Sequence, residues 1–134
     1  MAEYPYEADN GSTFELFTLA EGEKKIEEVP FTAIPNCSDF IIKKEDHTLG
    51  NLLSEHAKKH RNVLMAGYKM AHPNVTEVFI RIQTDGTITP KEAFVAVCQK
   101  LLRDFTHLSQ EFAREWELRR MVNEGEQQNQ NGNV

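Results

Sequence analysis

The longest stretch without a helix-breaking residue sets the first constraint on the fold. Between Pro90 and Val122 the chain contains no glycine and no further proline. Large apolar residues follow one another there in steps of 3, 4, 4, 3, 4 and 4, close to the 3.6 residues of a helical turn. The pattern predicts one long helix with an apolar stripe made of Phe94, Val97, Leu101, Phe105, Leu108, Phe112 and Trp116.

The length of this helix predicts a protein partner. Residues 90–122 would span about 50 Å as a helix, whereas a compact domain of 134 residues has a radius of gyration of about 14 Å. We therefore expect one end of the stripe to be exposed unless another chain covers it. The alternative is a helix that breaks near His107 and folds back, which would keep the whole stripe in one core.

Composition and charge exclude several functional classes. The chain has 21 acidic and 15 basic residues and a net charge of −6, which argues against independent binding to duplex nucleic acid. Cys37 and Cys98 form no CxxC pair, so neither a zinc knuckle nor a secreted disulfide framework is indicated. No apolar run suits a signal peptide or a membrane span. We expect a soluble intracellular protein with one domain.

Four segments outside the long helix have the composition and spacing of strands. The last of them alternates apolar and polar residues cleanly, so one face of that strand is expected to be wet. Prolines 30 and 35 mark a loop. The predicted strands are Phe14–Leu19, Asp39–Lys43, Val63–Met70 and Glu77–Gln83.

Both predicted helices begin at capping signals. Thr48 is expected to cap a short amphipathic helix that ends near His60. Thr89-Pro90-Lys91-Glu92 opens the long helix with a hydroxyl cap, a proline at the first helical position and a glutamate three residues after the cap. Residues 1–13 and 123–134 are polar and are predicted to be disordered tails. The predicted folded domain is therefore 14–122.

The densest group of reactive side chains is Glu45, Asp46 and His47. With a distant histidine it would fit a small metal-dependent hydrolase. Consecutive residues project in different directions, however, whereas metal ligands converge on one point. Carboxylates just before a helix are stabilised by the helix dipole, and the chain has no glycine-rich phosphate loop. We therefore predict no catalytic residue, no metal site and no cofactor.

The segment Lys44–Asn51, with the sequence Lys-Glu-Asp-His-Thr-Leu-Gly-Asn, resembles the hallmark of a known family. It is the motif of the small alpha-like subunits of archaeal and eukaryotic DNA-directed RNA polymerases. The opening Phe14–Phe17 and Glu21–Lys25 and the closing Phe112–Trp116 resemble the RNA polymerase II members, and the alternative is the paralogue shared by polymerases I and III. Over roughly residues 14–122 the resemblance also includes Ala66–Lys69, His72–Pro73, Arg81–Thr84 and Pro90–Phe94.

The resemblance implies an α+β fold, like the N-terminal domain of the bacterial alpha subunit. It would have a four-stranded antiparallel sheet with helices on one face and a long C-terminal helix for dimerisation. It also implies a heterodimer with the larger alpha-like subunit, the third of RNA polymerase II. In the family this pair, with two small zinc-binding subunits, is the platform on which the two largest subunits assemble.

A non-catalytic, nuclear assembly subunit is therefore implied, because nucleotide addition belongs to the two largest subunits. No direct contact with nucleic acid or membrane is expected. A free-standing homodimer, like that of the bacterial alpha subunit, is the alternative within this class.

The motif helix and the long helix are predicted to share the partner interface. Gly50 costs about 1 kcal/mol relative to alanine in a helix, so we expect another backbone or helix to approach it, with Asn51 hydrogen-bonding across the contact. His47 is expected to orient the helix start. The first turns of the long helix are expected to fill the chain's own core, with Leu101 near the division point. The predicted family-motif residues are Glu45, Asp46, His47 and Thr48, and the predicted interface comprises Leu49, Gly50, Asn51, Leu52, Leu53, Leu101, Phe105, Leu108, Phe112 and Trp116.

Overall fold

A computed structural model describes the backbone of residues 17–131 and the side chains of residues 17–126. Within this part of the chain, two strands precede a short helix, and two more strands precede a long one. The elements are β1 (Ile26–Pro30), β2 (Cys37–Lys43), α1 (His47–Lys58), β3 (Val63–Met70), β4 (Glu77–Thr84) and α2 (Pro90–Asn131).

The four strands form one antiparallel sheet in the order β1-β2-β4-β3. Phe40 of β2 and Tyr68 of β3 both lie opposite Ile80 of β4. Residues directly opposite in an antiparallel pair share a face of the sheet. This arrangement confirms the four-stranded antiparallel sheet that the family resemblance implies.

One face of the sheet forms the core and carries the helices. Val78, Ile80 and Ile82 alternate along β4 and are completely buried, as the predicted apolar face requires. The rings of Phe40 on β2 and Phe94 on α2 stack with centroids 4.5 Å apart, which places the first turns of α2 on this face. The helix α1 packs against β3 and β4.

A crowded point of this packing is Gly50 on α1. A Cβ atom at this position would lie 2.6 Å from Cδ2 of Tyr68 and 2.9 Å from Cγ1 of Val78. The close approach predicted for Gly50 is therefore real, but it is made to side chains of the chain's own sheet and not to another backbone. The absence of a side chain lets α1 lie close to β3 and β4.

The helix α1 starts one residue before Thr48, because Asp46 is the N-cap. The backbone of Asp46 is extended, and its carboxylate accepts a hydrogen bond from the Thr48 N–H at 2.9 Å. Aspartate and threonine are both good caps, so residue type alone did not distinguish them. The position of the N-cap is determined by the residue at which the backbone leaves the extended conformation, which is Asp46.

The predicted start of α2 is confirmed. The Glu92 N–H donates to Oγ1 of Thr89 at 3.2 Å, and the Thr89 N–H donates to Oε2 of Glu92 at 2.8 Å. These reciprocal bonds are a capping box. The bond from the Thr89 backbone is the main reason that the pKa of the Glu92 carboxyl is lowered.

The strand predicted at Phe14–Leu19 is wrong over residues 17–19, which are not extended in the sheet, and its first three residues lie outside the described part. The first strand in the described part of the chain is instead β1, in a segment predicted to be loop. Ile26 and Val29 are three residues apart, so they do not give the alternation of apolar and polar residues that predicts a strand, and both are exposed. β1 is held by backbone pairing with β2 and by Lys43, which bridges Glu23 and Glu27 at 3.2 Å each. Pro30 is tolerated because it ends an edge strand.

The predicted helix end at residue 122 and the predicted tail from residue 123 are also corrected. α2 continues through Gly125 to Asn131, and only residues 132–134 of that tail lie outside the described backbone. A single glycine costs a helix about 1 kcal/mol, and glutamate and glutamine are good helix formers. The predicted N-terminal tail, residues 1–13, lies outside the described residues.

The chain divides into two compact units, and the boundary lies between Val97 and Cys98. The second unit is the remainder of α2 and is described by itself below. Neither helix of the described part is long and apolar enough to cross a membrane.

The face of the sheet opposite the helices carries a bidentate ion pair. Nε and Nη2 of Arg81 donate to the two carboxylate oxygens of Asp39 at 2.6 and 2.7 Å, and the guanidinium lies 3.6 Å from the centre of the Phe31 ring. Donation by Arg81 is the main reason that the pKa of the Asp39 carboxyl is lowered and that of Arg81 is raised. This pair ties β2 to β4.

Gly50→Ala is expected to lower the free energy of unfolding by about 1 kcal/mol, because overpacking costs about 1–3 kcal/mol and exceeds the helical gain of up to about 1 kcal/mol. Urea unfolding at low protein concentration, followed by circular dichroism, measures the change. The matched control is Gly67→Ala on β3, where an added Cβ meets nothing within 4 Å. We expect this control to be neutral or slightly stabilising. A Gly50→Ala chain as stable as wild type would contradict the packing argument.

Asp39→Asn is expected to lower stability at neutral pH and to have little effect in acid. A carboxyl whose pKa is lower in the folded state than its unfolded value of about 3.9 stabilises the fold above that pH. This contribution disappears as the pH falls through the folded pKa. Because the pair is partly exposed, we expect a loss of about 1 kcal/mol at pH 7. Urea unfolding between pH 2 and 7 tests this, with Glu28→Gln on β1 as control, and a pH-independent effect of Asp39→Asn would refute it.

Candidate protein-interaction surface

The distal part of α2 presents the apolar stripe to solvent. Leu101 is only 6 % exposed, but every described residue from Leu102 to Glu126 is exposed. The helix has no break near His107, so the alternative in which it folds back is wrong. We call the following residues the distal stripe: Phe105, Leu108, Phe112 and Trp116, with exposed fractions of 52, 61, 68 and 62 %.

These four side chains form one continuous surface. They recur at steps of 3, 4 and 4 residues and therefore lie on one side of the helix. The rings of Phe112 and Trp116 stack with centroids 6.4 Å apart. Soluble proteins rarely leave an aromatic surface of this kind uncovered unless it binds another protein.

The motif residues at the start of α1 are engaged in local structure. Nδ1 of His47 lies 3.1 Å from the Tyr68 hydroxyl, and the two rings meet edge to face. Glu45 pairs with Lys25 at 2.8 Å, while Asp46 caps the helix. His47 thus fixes the ring against which Gly50 packs, which agrees with its predicted role in orienting the helix start.

The predicted interface residues of α1 differ in their accessibility. Gly50 and Leu53 are buried within the chain, Leu49 and Leu52 are half-buried, and Asn51 is exposed. Leu101 of α2 is buried as well. Gly50, Leu53 and Leu101 therefore expose almost no surface in this chain, and their assignment to the partner interface stays a prediction. The sequence shows that these residues are apolar and periodic but not which chain covers them.

Neither cysteine has the environment of a reactive thiol. Burial raises the pKa of both Cys37 and Cys98, which lowers the fraction of nucleophilic thiolate. Within the described residues, no group of three or more histidine, cysteine, aspartate or glutamate side chains is placed to hold a metal ion.

A second surface feature is a shallow cavity of about 350 Å³ on the open face of the sheet. Its lining includes Met65, Gly67 and Phe79 together with the Asp39–Arg81 pair. Because Asp39 and Arg81 pair with each other, the cavity has fewer unused polar groups to bind a ligand, and the distal stripe is the stronger candidate for a binding surface.

Sequence reasoning missed four exposed apolar residues in the described part of α2 beyond Leu101. Leu102 is 69 % exposed and lies beside the distal stripe, and its position directly after Leu101 concealed it. A second exposed apolar group lies beyond Trp116. Its residues are spaced by three positions and one position, and they are Leu118, Met121 and Val122. Leu118 and Met121 point away from the stripe, about 120° and 180° from Phe112 around the axis, whereas Val122 is about 80° from Phe112.

Comparison with known proteins identifies the family. Residues 37–111 match the RNA polymerase Rpb3/Rpb11 dimerisation domain. The chain belongs to this family. The match extends from the first residue of β2 into the distal stripe, so it includes the motif helix together with Phe105 and Leu108, and it ends just before Phe112.

Relatives within the Rpb3/Rpb11 family match over most of their length. The chain is 42 % identical to DNA-directed RNA polymerase II subunit rpb11 of Dictyostelium discoideum, over 81 % of this chain and 91 % of that protein. It is 36 % identical to DNA-directed RNA polymerase II subunit RPB11 of Schizosaccharomyces pombe, over 68 % of this chain and 74 % of that protein.

The fold is also found in an archaeal member of known structure. DNA-directed RNA polymerase subunit L from Thermoplasma acidophilum superposes with a TM-score of 0.60 at 22 % identity. The alignment covers 71 % of this chain and 91 % of the archaeal one. This likeness confirms the α-like subunit fold that the sequence motif implies.

The isolated chain is expected to self-associate, because its distal stripe has no cover within the chain. Sedimentation velocity at micromolar concentration should show species larger than a monomer. The double variant Phe105→Asp/Phe112→Asp should shift the distribution toward monomer. A wild-type chain that sediments as a stable monomer would contradict the interpretation of the stripe.

Proposed function

We propose that this chain is a non-catalytic assembly subunit of nuclear RNA polymerase II. On this proposal it pairs through α2 with the larger alpha-like third subunit. The pair then serves, with two small zinc-binding subunits, as the platform for the two largest subunits. The observation that carries the proposal is the distal stripe, an exposed aromatic surface on a continuous helix in a chain of a dimerisation-domain family.

The chemistry of the surface supports a role in association. The side chains that a ligand would meet along the distal stripe are a leucine and three aromatic residues, which dominate the energetics of protein interfaces when buried. The charged residues of the family motif are already used, since Asp46 caps α1, His47 bonds to Tyr68, and Glu45 pairs with Lys25. This supports a binding role over the hydrolase considered from the sequence.

The choice of polymerase II rests on the relatives. The matched proteins from Dictyostelium, Schizosaccharomyces and Caenorhabditis are all named as RNA polymerase II subunits. A location in the nucleus and contacts with the remaining subunits follow from that assignment. The paralogue of polymerases I and III is the alternative, and the set of proteins that co-purify with the tagged chain distinguishes the two.

Phe105→Asp and Phe112→Asp are each expected to abolish pairing with the larger alpha-like subunit. Burial of an unpaired carboxylate in an apolar interface costs several kcal/mol, and loss of the buried side chain adds about 1.5–3 kcal/mol. At about 1.4 kcal/mol per factor of ten, affinity should fall a thousandfold or more. Co-expression and pull-down with the tagged third subunit measures the loss.

The matched control introduces the same residue on the other side of the helix. His107→Asp changes a side chain that is 76 % exposed and about 140° from Phe112 around the axis. This variant should bind like wild type, and circular dichroism should show the same helix content in all three chains. A folded Phe112→Asp chain with unchanged affinity would refute the proposed interface.

A further inference from the structure

The charges beside the distal stripe are distributed unequally between its two edges. An acidic residue directly precedes each of the three aromatics of the stripe, namely Asp104, Glu111 and Glu115. All three acidic residues lie on the same side of the stripe, about 60–100° from Phe112 around the helix axis. All three are exposed. We call this row the acidic edge. On the other edge, the residues at the corresponding positions alongside the stripe are uncharged, namely Leu102, Ser109 and Ala113, and Arg120 follows beyond Trp116.

The cations that pair with the acidic edge lie farther from the stripe. Lys100 bridges Asp104, and Arg114 lies 3.9 Å from Glu111. Both cations are about 120–160° from Phe112 around the axis, behind the carboxylates. Exposed pairs of this kind contribute little to stability, so Arg114 does not prevent a partner's cation from pairing with Glu111.

We propose that the acidic edge selects the partner of the distal stripe, which is an α-helix of a different chain with an apolar face and a lysine- or arginine-rich edge. This inference rests on the proposed function and adds the chemistry by which the partner is chosen. Charges at the edges of an apolar helical seam commonly set partner choice and orientation. In this chain the edge charges are a row of carboxylates, so the matching edge of the partner helix is expected to carry a row of cations.

A second copy of this chain fits the acidic edge poorly. In an antiparallel pair with two-fold symmetry, each edge faces the same edge of the other helix, so carboxylates would face carboxylates. In a parallel pair the acidic edge would face the uncharged edge. That edge offers no row of cations, since Arg120 is the single basic residue near it between Leu102 and Glu126. The charge pattern therefore disfavours self-pairing while the apolar stripe alone would permit it.

The first test measures affinity for the larger alpha-like subunit. Glu111→Lys/Glu115→Lys should weaken binding about tenfold at low salt, and the difference should shrink at high salt, where exposed charges are screened. The matched control is Glu117→Lys/Glu124→Lys, which makes the same change in charge about 120–140° from Phe112 in the opposite rotational sense. This control should bind within about twofold of wild type, with equal helix content by circular dichroism.

The second test compares two effects of one variant, because self-association and binding to the larger subunit are expected to change in opposite directions. Glu111→Gln/Glu115→Gln removes repulsion between copies, so it should strengthen self-association severalfold while it weakens binding to the larger subunit. The control Glu117→Gln, which leaves Arg120 bridged to Glu124, should change neither. Sedimentation of each chain alone and titration of each with the larger subunit give the two affinities.

The outcomes separate this inference from the proposed function. If Glu111→Lys/Glu115→Lys binds as tightly as its control, or more tightly, while Phe112→Asp does not bind, the acidic edge does not select the partner and the proposed interface stands. If the wild-type chain does not bind the larger subunit at all, the proposed function itself is overturned, and the partner named here with it.

Discussion

An apolar stripe that continues beyond Leu101, the last buried residue in the described part of α2, is the constraint on which the structure and its use depend. Up to Leu101 the stripe is buried, and from Leu102 every described side chain is exposed on an unbroken helix. A helix fixes the spacing of its side chains, so Phe105, Phe112 and Trp116 cannot turn away from water independently of one another. Covering them requires a second surface of matching periodicity, and another helix has that periodicity.

The family motif serves this arrangement indirectly. Its charged and polar residues hold α1 against the sheet: Asp46 ends the extended segment before the helix, and His47 bonds to Tyr68. Gly50 then allows the Tyr68 ring and Val78 to approach the helix backbone. A cluster of acidic residues and histidine that suggests chemistry from its composition is thus accounted for by capping, ion pairing and packing.

Periodicity made most of the fold predictable from the sequence. β3, β4 and the start of α2 were predictable because their apolar residues alternate or recur and because Thr89 and Glu92 form a capping box. β1 was not predictable, since Ile26 and Val29 are exposed and the strand depends on pairing with β2. The end of α2 was missed because a glycine and a polar composition weaken a helix without ending it.

The candidate interface was only partly predictable for a related reason. Spacing shows that Leu53, Leu101 and Phe112 are helical apolar positions, but burial depends on what lies opposite each of them. Leu53 and Leu101 are covered by this chain, whereas Phe112 is 68 % exposed. Leu102 was not predicted because the apolar repeat takes one residue per turn, whereas an interface covers a width of helix that includes neighbouring positions.

Apolar contact alone does not determine which helix covers the stripe. Full burial of four large side chains provides about 6–12 kcal/mol, which is of the same order as the 4–15 kcal/mol that association of two proteins costs. The distal stripe therefore brings pairing near balance for any helix with a complementary apolar face, including a second copy of this one. Small electrostatic differences then decide between partners, because about 1.4 kcal/mol changes the ratio of two complexes tenfold. A row of carboxylates along one edge is sufficient to supply a difference of that size between a cationic and an acidic partner helix.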